Sequence, residues 1–251
     1  MRFKTTALFL LLLAASCTQS HVITKQDTQT YVFSDTTVSA IDSSIDKEIL
    51  PYRLKVQSEM SAVLAVSTSP IERGNPESKL GNLLSDACMD QCTKNFKPAD
   101  GLGADFAIFN NGGLRRPLPK GSITRGDVFE LMPFENELVV VTMTAERIEK
   151  LLNFIASKGG APVSGIRLTI NGNKAANVQI AGLPYDSTRT YKVLTSDYLA
   201  NGGDSYEFFL GAPRESVMMK VRDAIINYLV EQNKAGKQID VKLDQRIDNA
   251  R

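Results

Sequence analysis

Two loops that contain glycine pairs carry side chains suited to holding a polar ligand. The first loop, residues 110–117, follows a short apolar run and contains Asn110, Gly112, Gly113 and Arg115. Glycine lets a backbone approach a ligand closely, asparagine both donates and accepts hydrogen bonds, and the planar arginine fork matches phosphate oxygens. Taken alone, this loop is more typical of a tight turn with a surface arginine than of a binding site.

The second loop, residues 200–206, combines a Gly-Gly pair with Asp204 and Tyr206. An aromatic ring beside such a pair is able to stack on a planar ligand, although a turn with a core tyrosine is the more common arrangement. Phe134 follows Pro133 in a third loop and is either a ligand platform or a core residue. Taken one by one, these loops do not establish a binding site.

The histidine content excludes several kinds of hydrolytic centre. The chain of 251 residues contains one histidine, His21, close to the N-terminus. A two-metal phosphohydrolase needs several histidine and aspartate ligands, and a Ser-His-Asp triad needs a histidine inside the fold. We therefore expect no metal site and no catalytic residue in this chain. The formal net charge of +1 gives no electrostatic argument for binding nucleic acid.

The N-terminal segment predicts export. Residues 1–16 begin with a short basic segment and continue with an apolar run. The apolar run is about half as long as the roughly 20 residues that a helix needs to span a bilayer. Cys17 follows directly, as in a bacterial lipoprotein signal, where the cysteine receives the lipid. We predict a signal peptide at 1–16, a polar tether at 17–43 and a membrane-anchored lipoprotein of the bacterial envelope, facing the periplasm or the cell surface. Plain secretion and an ordinary apolar helix are the alternatives.

The hydrophobic pattern of the rest of the chain alternates between helical and extended periods. It predicts one α+β domain over residues 44–251, with a mixed sheet flanked by helices. Pro51 marks either the start or a kink of the first helix. Predicted helices cover 44–64, 77–94, 124–131, 145–157 and 215–234, and predicted strands cover 104–109, 138–143, 166–170, 178–180 and 191–195.

Cys88 and Cys92 lie four residues apart on the second predicted helix. Bridge geometry within a regular helix is poor, and the chain offers no second Cys/His pair for zinc. Two semi-buried thiols are the favoured interpretation, and a disulfide is the alternative.

Five blocks of sequence occur in an order and spacing that resemble a known family. They are ESKLGNLLSDA at 77–87, FNNGGLR at 109–115, LMPFENELVVVTMTAERIEKLL at 131–152, VSGIRLTI at 163–170 and YLANGGDSY at 198–206. Across about residues 44–251 the chain resembles the C-terminal domain of the 5′-nucleotidase family. The resemblance implies a domain that binds nucleoside and phosphate, whereas an N-terminal metallophosphatase domain holds two divalent cations and hydrolyses the phosphate.

The resemblance also implies individual roles. Phe134 matches the first aromatic residue that clamps the base, and Tyr206 is matched to the second. Asn110 and Arg115 match residues that contact the polar and phosphate groups of the substrate.

Two positions depart from the family pattern. Many members carry an arginine immediately before the glutamate that is Glu77 here, but this chain has Pro76, and Arg73 is the nearest cation. The acid that bonds the ribose has only Glu207 as a candidate.

The function implied is nucleotide or nucleoside recognition within a 5′-nucleotidase. On this interpretation a separately encoded metallophosphatase supplies the divalent metals, and this chain binds no cofactor and is inactive by itself. The expected ligand is a nucleoside, a nucleotide or a nucleotide sugar. The alternatives are a stand-alone binding lipoprotein and an adaptor with a relic site.

Overall fold

The computed structural model describes residues 25–31 and 43–250 of the chain. The chain divides into two compact units, Met1–Ile49 and Leu50–Arg251. In the first unit, residues 25–31 have no regular secondary structure. The predicted signal peptide, Cys17, His21 and most of the predicted tether lie outside the described residues.

Helix α1 spans Ser43–Met60 and includes Pro51, so the helix does not start at that proline. None of its residues is buried, and Tyr52 is 75% exposed. Within the described ranges, no helix has both the length and the apolar character needed to cross a membrane.

The second unit alternates helices and strands. After α1, its helices are α2 (Lys79–Asn95), α3 (Arg125–Leu131), α4 (Ala145–Ser157), α5 (Asp197–Ala200) and α6 (Val221–Lys234). Its strands are β1 (Val63–Ser67), β2 (Phe106–Ile108), β3 (Gly121–Thr124), β4 (Glu137–Met143), β5 (Val163–Ser164), β6 (Ile166–Asn171), β7 (Lys174–Ile180), β8 (Leu183–Pro184), β9 (Tyr191–Ser196), β10 (Arg214–Lys220) and β11 (Ile247–Asn249).

A five-stranded sheet in the order β10-β4-β9-β2-β5 forms the centre of this unit. Strands β2 and β9 are parallel, whereas the other neighbours in this sheet are antiparallel. Strands β11, β6, β7 and β8 form a second sheet, and β1 pairs with β3. The predicted α+β class with a mixed sheet is therefore confirmed.

The central sheet separates two hydrophobic cores because successive side chains of a strand point to opposite faces. On one face, Ala107 and Leu194 pack with α2 and α6, and we call this the first core. On the other face, Phe106 and Val193 pack with α4 and the second sheet, which gives the second core.

The predicted helix at 215–234 is wrong in its first part. Residues Arg214 to Ser216 pair with β4, and helix α6 begins only at Val221. Met218 has a φ of 58° within an interruption of the pairing. That left-handed conformation is incompatible with a continuous helix, so edge pairing overrides the helical pattern of the sequence.

Helix α2 buries both cysteines against the first core, and the two thiols are free. Burial raises the pKa of Cys92 to about 11 and also raises the pKa of Cys88. The prediction of two thiols is confirmed, with both side chains buried more deeply than expected.

Candidate functional site

Three loops meet at one edge of the central sheet. The carboxyl ends of the parallel strands β2 and β9 lie at the same edge, and loops at such an edge commonly bind ligands. Strand β4 begins at that edge too, because its Leu138 pairs with Ser196 at the end of β9. The loops enclose a cavity of about 380 Å³, which we call the first cavity.

The first cavity brings together three of the four residues predicted from the sequence. Asn110, Arg115 and Phe134 all line it. The guanidinium carbon of Arg115 lies 5.2 Å from the centre of the Phe134 ring, which is cation–π distance. An apolar wall from the first core and a set of polar groups therefore face the same space.

Tyr206 does not line the first cavity. It is 5% exposed, and its ring packs against Phe154 of the second core, with 4.8 Å between ring centres. Burial, followed by the nearby charge of Asp204, raises the pKa of the Tyr206 hydroxyl. The structure thus places Tyr206 apart from the other three predicted residues.

Tyr198 provides the second aromatic ring of the first cavity. It is 43% exposed, and its hydroxyl donates a hydrogen bond of 2.8 Å to Asp204. This bond raises the pKa of the Tyr198 hydroxyl. The ring lies so close to Gly203 that a Cβ atom there would be 2.4 Å from it, so glycine is required for this placement.

Asp204 links two of the loops. One of its carboxylate oxygens accepts the hydrogen bond from Tyr198, and the other accepts one from the side-chain amide of Asn110. Asp204 has a φ of 51°, a left-handed conformation that aspartate tolerates better than most residues. Because a carboxylate offers about four acceptor positions, capacity for a ligand hydroxyl remains.

Arg222 anchors the loop that carries Phe134. This arginine is 6% exposed and donates to the backbone carbonyls of Met132, at 3.4 Å, and Phe134, at 3.2 Å. It also pairs with Glu135, and its guanidinium carbon lies 4.1 Å from the centre of the Phe129 ring. The pairs with Lys220 and Arg222 lower the pKa of Glu135 to about 2, so this carboxylate is ionised at neutral pH.

The remaining candidates from the sequence lie elsewhere. Neither Arg73 nor Glu207 lines the first cavity, whereas Asn136, which sequence reasoning missed, does. In the part of the chain that the structure describes, no group of three or more His, Cys, Asp or Glu side chains is placed to hold a metal ion. The first cavity offers aromatic faces, amides, a carboxylate and one guanidinium.

The fold is that of an α+β domain, and its first cavity combines aromatic faces with polar side chains. A family profile described as "5′-nucleotidase, C-terminal domain" matches residues 60–211. The chain belongs to this family, which is the substrate-binding part of 5′-nucleotidases and not their catalytic part.

Individual relatives agree with this assignment. The chain is 29% identical over 182 residues to a 5′-nucleotidase of Vibrio vulnificus, covering 68% of this chain and 31% of that protein. It is 30% identical over 203 residues to the cell wall protein Lmo0130 of Listeria monocytogenes, covering 73% of this chain and 25% of that protein. The chain therefore spans less than a third of either relative.

A solved structure shares the fold. The 5′-nucleotidase precursor of Thermus thermophilus superposes with a TM-score of 0.68 and 27% identity, over 83% of this chain and 43% of that protein.

Proposed function

We propose that this protein is the nucleotide-recognition part of a 5′-nucleotidase system and that the first cavity holds the nucleoside. The observation that supports this most directly is the pair of aromatic rings, Phe134 and Tyr198, on two loops that line one cavity. Aromatic faces of this kind stack on nucleic acid bases. We accordingly assign the second stacking position to Tyr198 in place of Tyr206.

The polar groups of the first cavity complete this assignment. Asp204 follows the second aromatic by a few residues, as the ribose-binding acid does in the family, and therefore replaces Glu207 as the candidate. Asn136 and Asn110 offer amides to the base and sugar, and Arg115 offers a guanidinium to phosphate.

A calorimetric titration of adenosine, AMP and UDP-glucose into the purified protein tests this proposal. Phe134→Ala and Tyr198→Ala should each weaken binding by about 1–3 kcal/mol, or roughly 5- to 150-fold, because each removes one stacking face. Tyr52→Ala removes an exposed aromatic on helix α1 and serves as the control, with unchanged affinity expected. Equal affinities for wild type and both cavity variants would refute the assignment.

We further propose that a separately encoded metallophosphatase performs hydrolysis on ligands held by this protein. The support is that the matched family domain is the part that binds substrate. Phosphate release from AMP by such an enzyme should increase when this protein is added. An unchanged rate would favour the alternative, a stand-alone binding protein, which the placement of both stacking rings in one chain also allows.

We place this activity in the bacterial envelope, with the protein held by a lipid on Cys17. The support is the signal-like sequence before that cysteine. Divalent metals would be carried by the partner enzyme.

A further inference from the structure

Helix α1 exposes a row of apolar side chains. Ile45 is 57% exposed, Ile49 44%, Tyr52 75% and Val56 55%. Their spacing of four, three and four residues places all of them on one side of the helix. We call these four residues the α1 stripe.

The sequence of helix α1 is poorly suited to a helix that stands alone in water. Pro51 lacks the backbone N–H that a helix interior uses, and proline is the least favourable residue at such a position. None of the helix residues is buried. Because the stability of protein helices comes mostly from packing of an apolar face, α1 has the character of a helix that packs against a partner.

The α1 stripe follows the seven-residue repeat of a two-stranded coiled coil. In that repeat, apolar residues alternate at intervals of three and four residues. Ile45 and Tyr52 occupy one of the two apolar positions, and Ile49 and Val56 occupy the other. The next position of the repeat is Glu59, so the match covers four positions. Another helix with the same repeat is therefore the partner whose shape fits this stripe.

The charges beside the α1 stripe favour a second copy of the same helix as that partner. In an antiparallel pair, Ile49 of one copy packs against Tyr52 of the other. The same register sets Glu48 opposite Lys55 of the second copy. Two-fold symmetry repeats this contact, so the pair of helices gains two interhelical ion pairs.

The connection after α1 also favours the antiparallel arrangement. The helix has 18 residues and is about 27 Å long, and β1 begins three residues after its end at Met60. A parallel pair would crowd the remainder of both chains at one end of the helices. An antiparallel pair places them at opposite ends, where they do not compete for space.

We propose that two copies of this protein form a dimer by antiparallel pairing of their α1 helices along the α1 stripe. None of the four stripe residues lines the first cavity, so the dimer is independent of the nucleoside assignment. Four apolar positions on each helix make a small interface, which corresponds to a weak dimer with a dissociation constant of about 1–100 µM.

Sedimentation velocity of the purified protein without nucleotide tests the dimer, at concentrations from about 1 to 300 µM. The measured mass should rise with concentration from that of one chain toward that of two. Val56→Asp should weaken association at least about tenfold, because it places a charge in the apolar contact. Leu54→Asp is the matched control and should associate like wild type, since Leu54 is also 55% exposed but lies on the opposite side of the helix. A wild-type protein that stays monomeric throughout would overturn the proposal, as would a dimer that Val56→Asp leaves unchanged.

A charge exchange tests the antiparallel register. Glu48→Lys and Lys55→Glu should each weaken association about three- to tenfold, because each sets like charges opposite one another. The double variant restores opposite charges in an antiparallel pair and should associate like wild type. In a parallel pair, residue 48 faces residue 53 of the other copy, and the double variant would stay weak. Failure of the double variant to recover would thus refute the antiparallel pairing.

Discussion

Replacement of Arg222 by methionine is expected to lower the free energy of unfolding by about 3 kcal/mol. The substitution leaves the carbonyls of Met132 and Phe134 without their buried donor, and each unsatisfied group costs about 1–3 kcal/mol. The substitution also removes Nε of Arg222, which is buried and has no hydrogen-bond partner among the described residues. Removal of this unpaired group offsets part of the loss of stability. The same variant should weaken AMP binding, because the loop that positions Phe134 loses its anchor. Urea unfolding and a calorimetric titration measure the two effects.

Lys220→Met is the matched control for Arg222→Met. Lys220 pairs with the same carboxylate, Glu135, but its side chain is about half exposed, and among the described residues it donates to no backbone carbonyl. Exposed ion pairs contribute about 0–1 kcal/mol, so this variant should remain close to wild type in stability and affinity. Equal losses in the two variants would show that the charge of Glu135, and not the backbone carbonyls, accounts for the effect.

Replacement of Gly160 by alanine is expected to destabilise the protein by about 2–4 kcal/mol. Gly160 has a φ of 115°, which L residues rarely adopt, and a Cβ atom there would lie 2.0 Å from the backbone oxygen of Pro76. Backbone strain of this kind costs about 1–3 kcal/mol, and overpacking adds a similar amount unless the two segments separate. Thermal or urea unfolding measures the loss.

The preceding glycine separates the two causes. Gly159 has a φ of 72°, but an added Cβ atom would meet no atom within 4 Å. Gly159→Ala should therefore show only the backbone term of about 1 kcal/mol. A Gly160→Ala variant no less stable than Gly159→Ala would mean that the contact with Pro76 relaxes at no cost.

Local chemistry explains why much of the fold could be predicted from the sequence. Threonine is a favoured helix N-cap, and the side chain of Thr124 accepts a hydrogen bond from the backbone amide of Asp127 at the start of α3. The backbone amide of Thr124 donates in return to the carboxylate of Asp127. The apolar stripe of α4 likewise places Ile148 and Leu151 in the second core. Caps and amphipathic stripes depend on residues within one or two turns, so a single sequence reveals them.

Features that depend on distant partners were harder to predict. The residues of β10 have a helical pattern, and only the neighbouring edge of β4 makes them a strand. The same limit applies to the site. A tyrosine beside a glycine pair either packs in the core or lines a binding site, and distant residues decide which. Tyr206 lies in the core because Phe154 and Phe209 pack around it, whereas Tyr198 lines the first cavity because Gly203 leaves room for its ring.

One signal in the sequence could have identified Tyr198. Asn110 stands two residues after the end of the buried strand β2, and Tyr198 stands two residues after the end of β9. The sequence predicts a strand at 191–195 and a glycine loop at 200–206, and Tyr198 lies between these two predicted segments. The parallel pairing of β2 with β9, which brings both strand ends to one edge, is visible only in the structure.

The division of the unit into two cores affects how its cavities respond to substitution. The first cavity takes its apolar wall from the first core, through residues such as Phe109 and Met132. A neighbouring cavity of about 440 Å³ takes its wall from Phe154 and Tyr206 of the second core, and Asn110, Gly112 and Asp204 line both cavities. A substitution within one core therefore reshapes one apolar wall, whereas a substitution at a shared residue alters both cavities.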